Sequence, residues 1–160
     1  MKPCVFPGSA VAIVTPFCGE SVDLEAFDRL IERQIQGGTD AIVVCGTTGE
    51  AATLSYNERM ALIERCVRTV DRRVPVIAGS GTNSTASSIA LSKAAQSAGV
   101  DALLTVTPYY NKASQSGLVQ HFSAIADAVD IPVILYNVPS RTGVGCTVQT
   151  YQALAKHPNI

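Results

Sequence analysis

The amino-acid sequence predicts an α/β fold built on a parallel sheet covered by helices. Short β-branched runs recur along it, their starts roughly 30 residues apart, which is the spacing of βαβ units. The runs are almost continuously apolar (AIVV, VPVIAG, ALLTV, PVILY), where a half-exposed antiparallel strand would alternate. The segments between them carry helix periodicity with start and stop signals.

In chain order, the first strand is expected over Ala10–Thr15. Asp23 caps a helix whose Leu24, Phe27, Leu30, Ile31 and Ile35 share one face, and Gly37-Gly38 ends it. The second strand is Ala41–Cys45. Ser55-Tyr56-Asn57-Glu58 is a capping-box pattern, so a second helix opens there and runs through Met60, Ile63, Val67 and Val70. After a third strand, Val74–Gly79, Asn83 or Ser84 caps a third helix that Gly99 ends. The fourth strand is Ala102–Thr107, and Leu118, Phe122, Ile125 and Val129 stripe a fourth helix that stops before Pro132. The fifth strand is Val133–Asn137, and Thr147 caps a fifth helix containing Val148, Tyr151 and Leu154. Ile160 stands where a sixth strand would begin. Two architectures use such units, the doubly wound open sheet and the closed eightfold barrel, and periodicity does not choose between them. No Gly-rich phosphate fingerprint follows the first strand, which counts against a nucleotide-binding open sheet.

The bulk properties narrow the function classes. With 160 residues, 47% of them hydrophobic and 16% charged, the chain can bury a core without disulfides or metals. A formal net charge of -1, with both signs interspersed, gives no electrostatic footprint for nucleic acid or an anionic membrane. The opening Met1-Lys2-Pro3-Cys4 and the short apolar stretch after it make neither a signal peptide nor a membrane span, so a cytoplasmic protein is expected. Cys4, Cys18, Cys45, Cys66 and Cys146 are scattered, with no C-x-x-C pair and no histidine at ligand spacing, and read as reduced thiols. No metal or other cofactor is expected.

In parallel α/β folds the chemistry sits at the carboxyl ends of the strands, and here those ends are rich in polar residues. The second strand runs into Gly46-Thr47-Thr48-Gly49-Glu50, where two hydroxyls and the backbone N–H groups of a glycine-flanked turn suit a small anion such as a carboxylate. A plain turn with a Thr cap reads the same residues. Tyr136 ends an apolar strand and is either a reactive hydroxyl or a core tyrosine with a satisfied one. Arg141, in a loop of Pro, Ser and Gly, suits either solvent or a carboxylate substrate.

Taken together, GTTGE after the second strand, TVTPYYN (Thr105–Asn111) after the fourth and YNVPSRTG (Tyr136–Gly143) after the fifth resemble one family. It is the dihydrodipicolinate synthase branch of the pyruvate-dependent aldolases and lyases, and the similarity runs from about Gly8 to the last residue in the family's order. The resemblance implies a (β/α)8 TIM barrel, with this chain covering about the first five βα units and ending before or at strand six. Residues 1–160 would then form the N-terminal part of a single barrel domain, with no complete second domain.

The resemblance also implies roles. Thr48 and the neighbouring backbone, including Gly49, would hold the carboxylate of pyruvate. Thr47 would link Tyr136 and Tyr110 in a proton relay, with Tyr110 reaching the partner subunit's site in a homodimer or homotetramer. Arg141 would bind the carboxylate of aspartate semialdehyde. The reaction would be condensation of the two through a lysine Schiff base, giving 4-hydroxy-tetrahydrodipicolinate for lysine and diaminopimelate synthesis.

The family's Schiff-base lysine belongs to the end of strand six, beyond Ile160. Lys93 and Lys156 fall on predicted helices, Lys112 in a loop and Lys2 at the terminus, so none is expected to act as nucleophile, and the chain alone is expected to be inactive by this route. The alternatives are cleavage of N-acetylneuraminate or a 2-keto-3-deoxy sugar acid with the same parts, and a non-catalytic half-barrel. Arg141 and the tyrosine pair favour the synthase. Feedback by lysine, known in part of the family, would use positions matching Ala52, Tyr56, Arg59, Asn83, Ser87 and Tyr109. Ser87 offers an ammonium no counter-charge, so that response is expected to be weak or absent. His121 and His157 are expected in solvent, and Cys45 as a small buried strand residue.

Overall fold

The computed structural model describes residues 4–160, so the reading of Lys2 lies outside the described residues. All five expected strands are present, slightly shorter than the apolar runs: β1 (Ala10–Ala12), β4 (Ala41–Val44), β5 (Val76–Gly79), β6 (Ala102–Val106) and β7 (Val133–Tyr136). They form one parallel sheet in the order β1-β4-β5-β6-β7, curled into an open half-barrel. Ala10 pairs with Ala41, Ile42 with Val76, Ile77 with Ala102 and Leu103 with Val133. Among the described residues, β1 and β7 each pair on one side only.

The pattern missed a small antiparallel hairpin between the first strand and first helix, β2 (Phe17–Cys18) and β3 (Ser21–Val22), whose turn uses Gly19 at φ 61°. Two-residue strands are too short to leave a periodicity, but Gly19 between Cys18 and Glu20 is a turn signal of the expected kind.

Helices alternate with the strands and begin where the capping residues place them. α1 (Leu24–Gln36) starts on Asp23, whose Oδ1 accepts the Ala26 N–H at 2.8 Å. α2 (Tyr56–Val70) opens with both halves of the capping box, Ser55 and Glu58 bonding each other's backbone N–H. Of the two candidates for the third helix, Ser84 is the cap of α3 (Thr85–Ser97). α4 (Gln115–Ala126) starts on Ser114 and stops before Val129, which still packs into the core at 4% exposure. A short α5 (Pro139–Thr142), with Pro at its start and Gly143 in the left-handed region at its end, was not expected, although that pairing marks a helical turn. α6 (Val148–Leu154) starts on Thr147. Ile160 is in no strand, yet the Asn159 carbonyl accepts the Val133 N–H at 2.7 Å, alongside β7.

The continuous apolarity of the strands follows from burial on both faces. Ile42 and Val44 point outward into the main core with Phe27, Ile31, Leu62, Ile63, Cys66 and Val70 of α1 and α2. Ala41, Val43, Ile77 and Ala102 point the other way and form the inner layer. Across α1 and α2, Arg65 grips the Asp28 carboxylate and Thr69 Oγ1 donates to it at 2.7 Å. That guanidinium holds the Asp28 carboxyl below the usual carboxylate range.

His121 corrects a sequence expectation: it is 5% exposed, not solvated. It lies three residues after Leu118 and four before Ile125, on the face of α4 that turns inward. Its Nδ1 is 2.8 Å from the Thr85 hydroxyl of α3, and its buried Nε2 has no partner among the described residues. His157 is also drawn in, its side chain 16% exposed with Nε2 2.9 Å from Asp127. Burial pushes the His121 pKa below its ordinary 6.5. The unfolded chain therefore takes up a proton that the folded chain resists, so His121's contribution to stability is full above about pH 6.5 and is lost as pH falls through the lower folded value. Urea unfolding midpoints should drop between about pH 7.5 and about pH 5.5, and His121→Asn should shrink that drop.

Candidate active site

The carboxyl ends of β4, β5, β6 and β7 open onto one cavity of about 370 Å³. Its wall includes Thr47, Glu50 and Arg59 from the β4 side, Gly79 and Gly81 after β5, Val106 and Tyr109 from β6, and Tyr136, Arg141 and Thr142 from the β7 side. Close strand approach makes this possible. A Cβ on Gly79 would overlap the Cys45 carbonyl, and one on Gly81 would overlap the Val106 amide nitrogen, so both positions bring neighbouring strand ends nearer than any side chain permits.

The Gly46–Glu50 turn is built from its own backbone. Gly46 O accepts from Gly49 N at 3.1 Å and from Ala51 N at 3.4 Å, and Thr47 O accepts from Glu50 N at 3.1 Å. Those bonds leave the Thr47 and Thr48 N–H groups without a partner among the described residues, and both side chains are exposed. Cys45 enters the turn at φ 53° and Glu50 leaves it at φ 58°, the left-handed geometry that points successive N–H groups the same way. Gly49 is buried against the Ile13 carbonyl and the Thr15 side chain.

On the opposite wall, the Tyr136 carbonyl accepts from Thr107 N at 3.1 Å, which fixes the end of β7 against β6. Arg141 sits on α5, exposed on the rim. Its neighbour Thr142 is buried, with its hydroxyl 2.8 Å from the Val144 carbonyl and 3.4 Å from Thr107 Oγ1, so the short helix is tied to the sheet.

Of the residues singled out from sequence, Thr47, Tyr136 and Arg141 line the same cavity. Thr48 and Gly49 belong to the turn but not to the cavity wall, and Tyr110 stands clear of it, 91% exposed at φ 71°. No hydrogen bond joins Thr47 to either tyrosine among the described residues. Lys93 and Lys156 are exposed on or beside helices, Lys112 is exposed in the loop after β6, and no lysine among the described residues lines the cavity. Cys45 is 2% exposed with its thiol pKa pushed up to about 12 by burial, which removes it as a nucleophile. No group of side chains among the described residues could hold a metal ion, and no helix among them is long and apolar enough to cross a membrane.

The sequence of motifs at these strand ends has a match along the whole chain. The sequence model of the Dihydrodipicolinate synthetase family matches residues 5–160. The chain belongs to this family. It is 58% identical over 156 residues to the 4-hydroxy-tetrahydrodipicolinate synthase of Geobacter metallireducens, covering 98% of this chain and 54% of the relative. It is 56% identical over 153 residues to the enzyme of that name from a Thermoanaerobacter species, covering 96% of this chain and 52% of the relative. Among solved structures, the chloride-inhibited dihydrodipicolinate synthase of Acinetobacter baumannii complexed with pyruvate superposes with a TM-score of 0.96 at 51% identity, over 98% of this chain and 54% of that one. The dihydrodipicolinate synthase of Aquifex aeolicus gives a TM-score of 0.94 at 49% identity, over 96% and 53%. The chain spans about half the length of the curated relatives it matches.

Dihydrodipicolinate synthetases are enzymes, and the fold here is the opening part of their (β/α)8 barrel. Several wall residues of this family member had no assigned part in the sequence reading. Glu50 was visible in GTTGE without a role, and Thr142 followed Arg141 unnoticed. Arg59 is 7% exposed, donates through Nη2 to the Ala51 carbonyl, and carries a buried Nη1 with no partner among the described residues. It also borders a second groove of about 320 Å³ with Leu54, Tyr56, Thr82, Ser87 and Leu91. The resemblance matches Arg59 to the feedback positions, but an arginine in an amphipathic helix gives no local sign of its burial.

Proposed function

We propose that this chain supplies the substrate-holding strand ends of a cytoplasmic synthase that condenses pyruvate with L-aspartate 4-semialdehyde through a lysine Schiff base, giving 4-hydroxy-tetrahydrodipicolinate. The reading rests on one observation: Thr47 from the end of β4 and Tyr136 and Arg141 from the end of β7 border a single cavity large enough for a small keto acid. The free N–H groups of Thr47 and Thr48 suit the pyruvate carboxylate. Tyr136 moves protons, because a phenol titrating near pH 10 can pass a proton along hydrogen bonds without a standing charge beside the substrate. In the assembled enzyme Thr47 would connect it to Tyr110 of a neighbouring copy, a link that no hydrogen bond within this chain makes, and the 91% exposure of Tyr110 outside the cavity supports its serving a partner subunit in a dimer or tetramer. The amine that attacks the ketone is none of Lys93, Lys112 or Lys156, so it reaches the cavity from elsewhere in the assembled enzyme. By itself the 160-residue chain forms no covalent pyruvate adduct.

The test joins this chain in frame to the remaining C-terminal portion of the Geobacter metallireducens relative. The fusion should consume pyruvate and aspartate semialdehyde, and borohydride should trap pyruvate on it by intact mass, whereas the chain alone should gain no mass. A folded fusion that cleaves N-acetylneuraminate and ignores the semialdehyde would show the sugar-acid lyase reading to be the right one.

Arg141 sets the second substrate. A guanidinium–carboxylate contact contributes about 1.5–3 kcal/mol, so Arg141→Ala in the fusion should raise the KM for aspartate semialdehyde about 10- to 100-fold. The KM for pyruvate should stay within about twofold. Equal effects on both substrates would place Arg141 outside the semialdehyde site. In the groove beside Arg59, the exposed Ser87 hydroxyl offers no charge to an ammonium effector, so lysine at millimolar concentration is expected to leave the fusion's rate unchanged.

A further inference from the structure

We propose that Thr15 is a positioning residue that holds the Gly46–Glu50 turn in the one setting that turns Thr47 and Thr48 towards a carboxylate. The proposal rests on the reading of that turn as the carboxylate site.

Thr15 lies three residues past the end of β1, and it is 5% exposed. Its Oγ1 donates to the Gly49 carbonyl at 2.7 Å, a buried side chain to backbone bond across 34 residues of sequence. The anchor is itself fixed on both sides. Ile13 N donates to Val43 O at 3.1 Å, and the Pro16 carbonyl accepts from Asp23 N at 2.9 Å. Thr15 therefore cannot follow the turn if the turn moves. The fit is close as well: a Cβ on Gly49 would lie 3.1 Å from the Ile13 carbonyl oxygen and 3.4 Å from Thr15 Oγ1.

The turn has a second tether at its far end, where Arg59 Nη2 donates to the Ala51 carbonyl. The residues whose N–H groups remain open, Thr47 and Thr48, lie immediately before the first tether, between the end of β4 and Gly49. The bonds inside the turn connect Gly46 to Gly49 and Ala51 and fix its shape, but they do not fix where the turn sits over the cavity. Thr15 supplies that second constraint from a different strand. Without its hydroxyl, Gly49 O is left buried and unpaired, and the turn can relieve this only by swinging towards water, which carries Thr47 and Thr48 with it.

Two substitutions separate positioning from packing. Thr15→Val keeps the volume and removes the donor, while Thr15→Ser keeps the donor and removes a buried methyl. Pyruvate binding to the 160-residue chain, titrated by saturation-transfer NMR, should weaken about five- to tenfold in Thr15→Val and stay within about twofold of the parent in Thr15→Ser. Thermal midpoints should not follow that order, because Thr15→Ser loses packing and still binds. Affinity that tracks the thermal midpoint in both variants, or a Thr15→Val chain that binds like the parent, overturns the proposal while leaving the carboxylate site standing. A parent chain with no saturable pyruvate binding removes the site itself, and the proposal with it.

Discussion

Gly79→Ala is expected to prevent the sheet from assembling. A Cβ at this position would overlap the Cys45 carbonyl oxygen, sit 2.7 Å from its carbon and lie 3.2 Å from Gly46 N. Neither partner can yield cheaply. Cys45 is held at φ 53° where β4 enters its turn, and its side chain is packed at 2% exposure. Gly79 closes β5 and pairs with Leu104, so its own retreat would break the β5–β6 register. Overpacking a rigid site costs about 1–3 kcal/mol or more, and here the clash is backbone on backbone, at the top of that range. Far-UV circular dichroism and urea unfolding should show a chain largely unfolded at room temperature. Gly38→Ala is the control: with φ at 83° and no atom within 4 Å of the added carbon, it should cost only about 1 kcal/mol of conformational strain. Equal stability of the two variants would mean that β4 and β5 do not approach as closely as described.

Tyr136→Phe should have the largest effect on chemistry. In the fusion with the Geobacter metallireducens portion, kcat should fall about 100-fold or more while the KM for pyruvate changes less than about threefold. The phenyl ring keeps its place in the cavity wall, since the backbone of Tyr136 is tied to Thr107 and the hydroxyl makes no hydrogen bond that folding depends on. On the proposed function, only the proton carrier would be lost. A general acid or base contributes about 10²- to 10⁴-fold, which sets the scale. A kcat within about threefold of the parent would assign proton transfer to another group, with Glu50 on the same wall the first to examine.

The strands and helices were legible in the sequence because each rests on a local cause: unbroken apolar runs for strands buried on both faces, and an oxygen-bearing cap before each long helix. Elements of two to four residues were not, since the β2–β3 hairpin and α5 are too brief to show a period and are marked only by Gly19, Pro139 and Gly143. Thr47, Tyr136 and Arg141 stand at polar strand ends whose local pattern left plain readings open, and the resemblance carried by GTTGE and YNVPSRTG singled them out. The burial of Thr15, Arg59 and His121 was not legible. Each is polar and buried, and what buries it is a partner 8 to 36 residues away: Gly49, Ala51 and Thr85. Local pattern carries no record of such pairs. For His121 the i, i+3, i+7 spacing from Leu118 to Ile125 did place it on an inward face, and the residue type outweighed that signal.

The single-sided pairing of β1 and β7 also sets the solvent conditions in the cavity. Five strands spaced about 4.8 Å apart trace only an arc, which would leave the flank of these strands by themselves open to bulk water. A carbanion-like species formed there would be quenched by solvent protons before meeting an aldehyde, and the dipoles of the Gly46–Glu50 turn would be damped by a high dielectric. On the proposed function, catalysis at these strand ends would require protein across that flank, and a wall that dried the cavity would contribute to the rate as directly as any hydroxyl inside it.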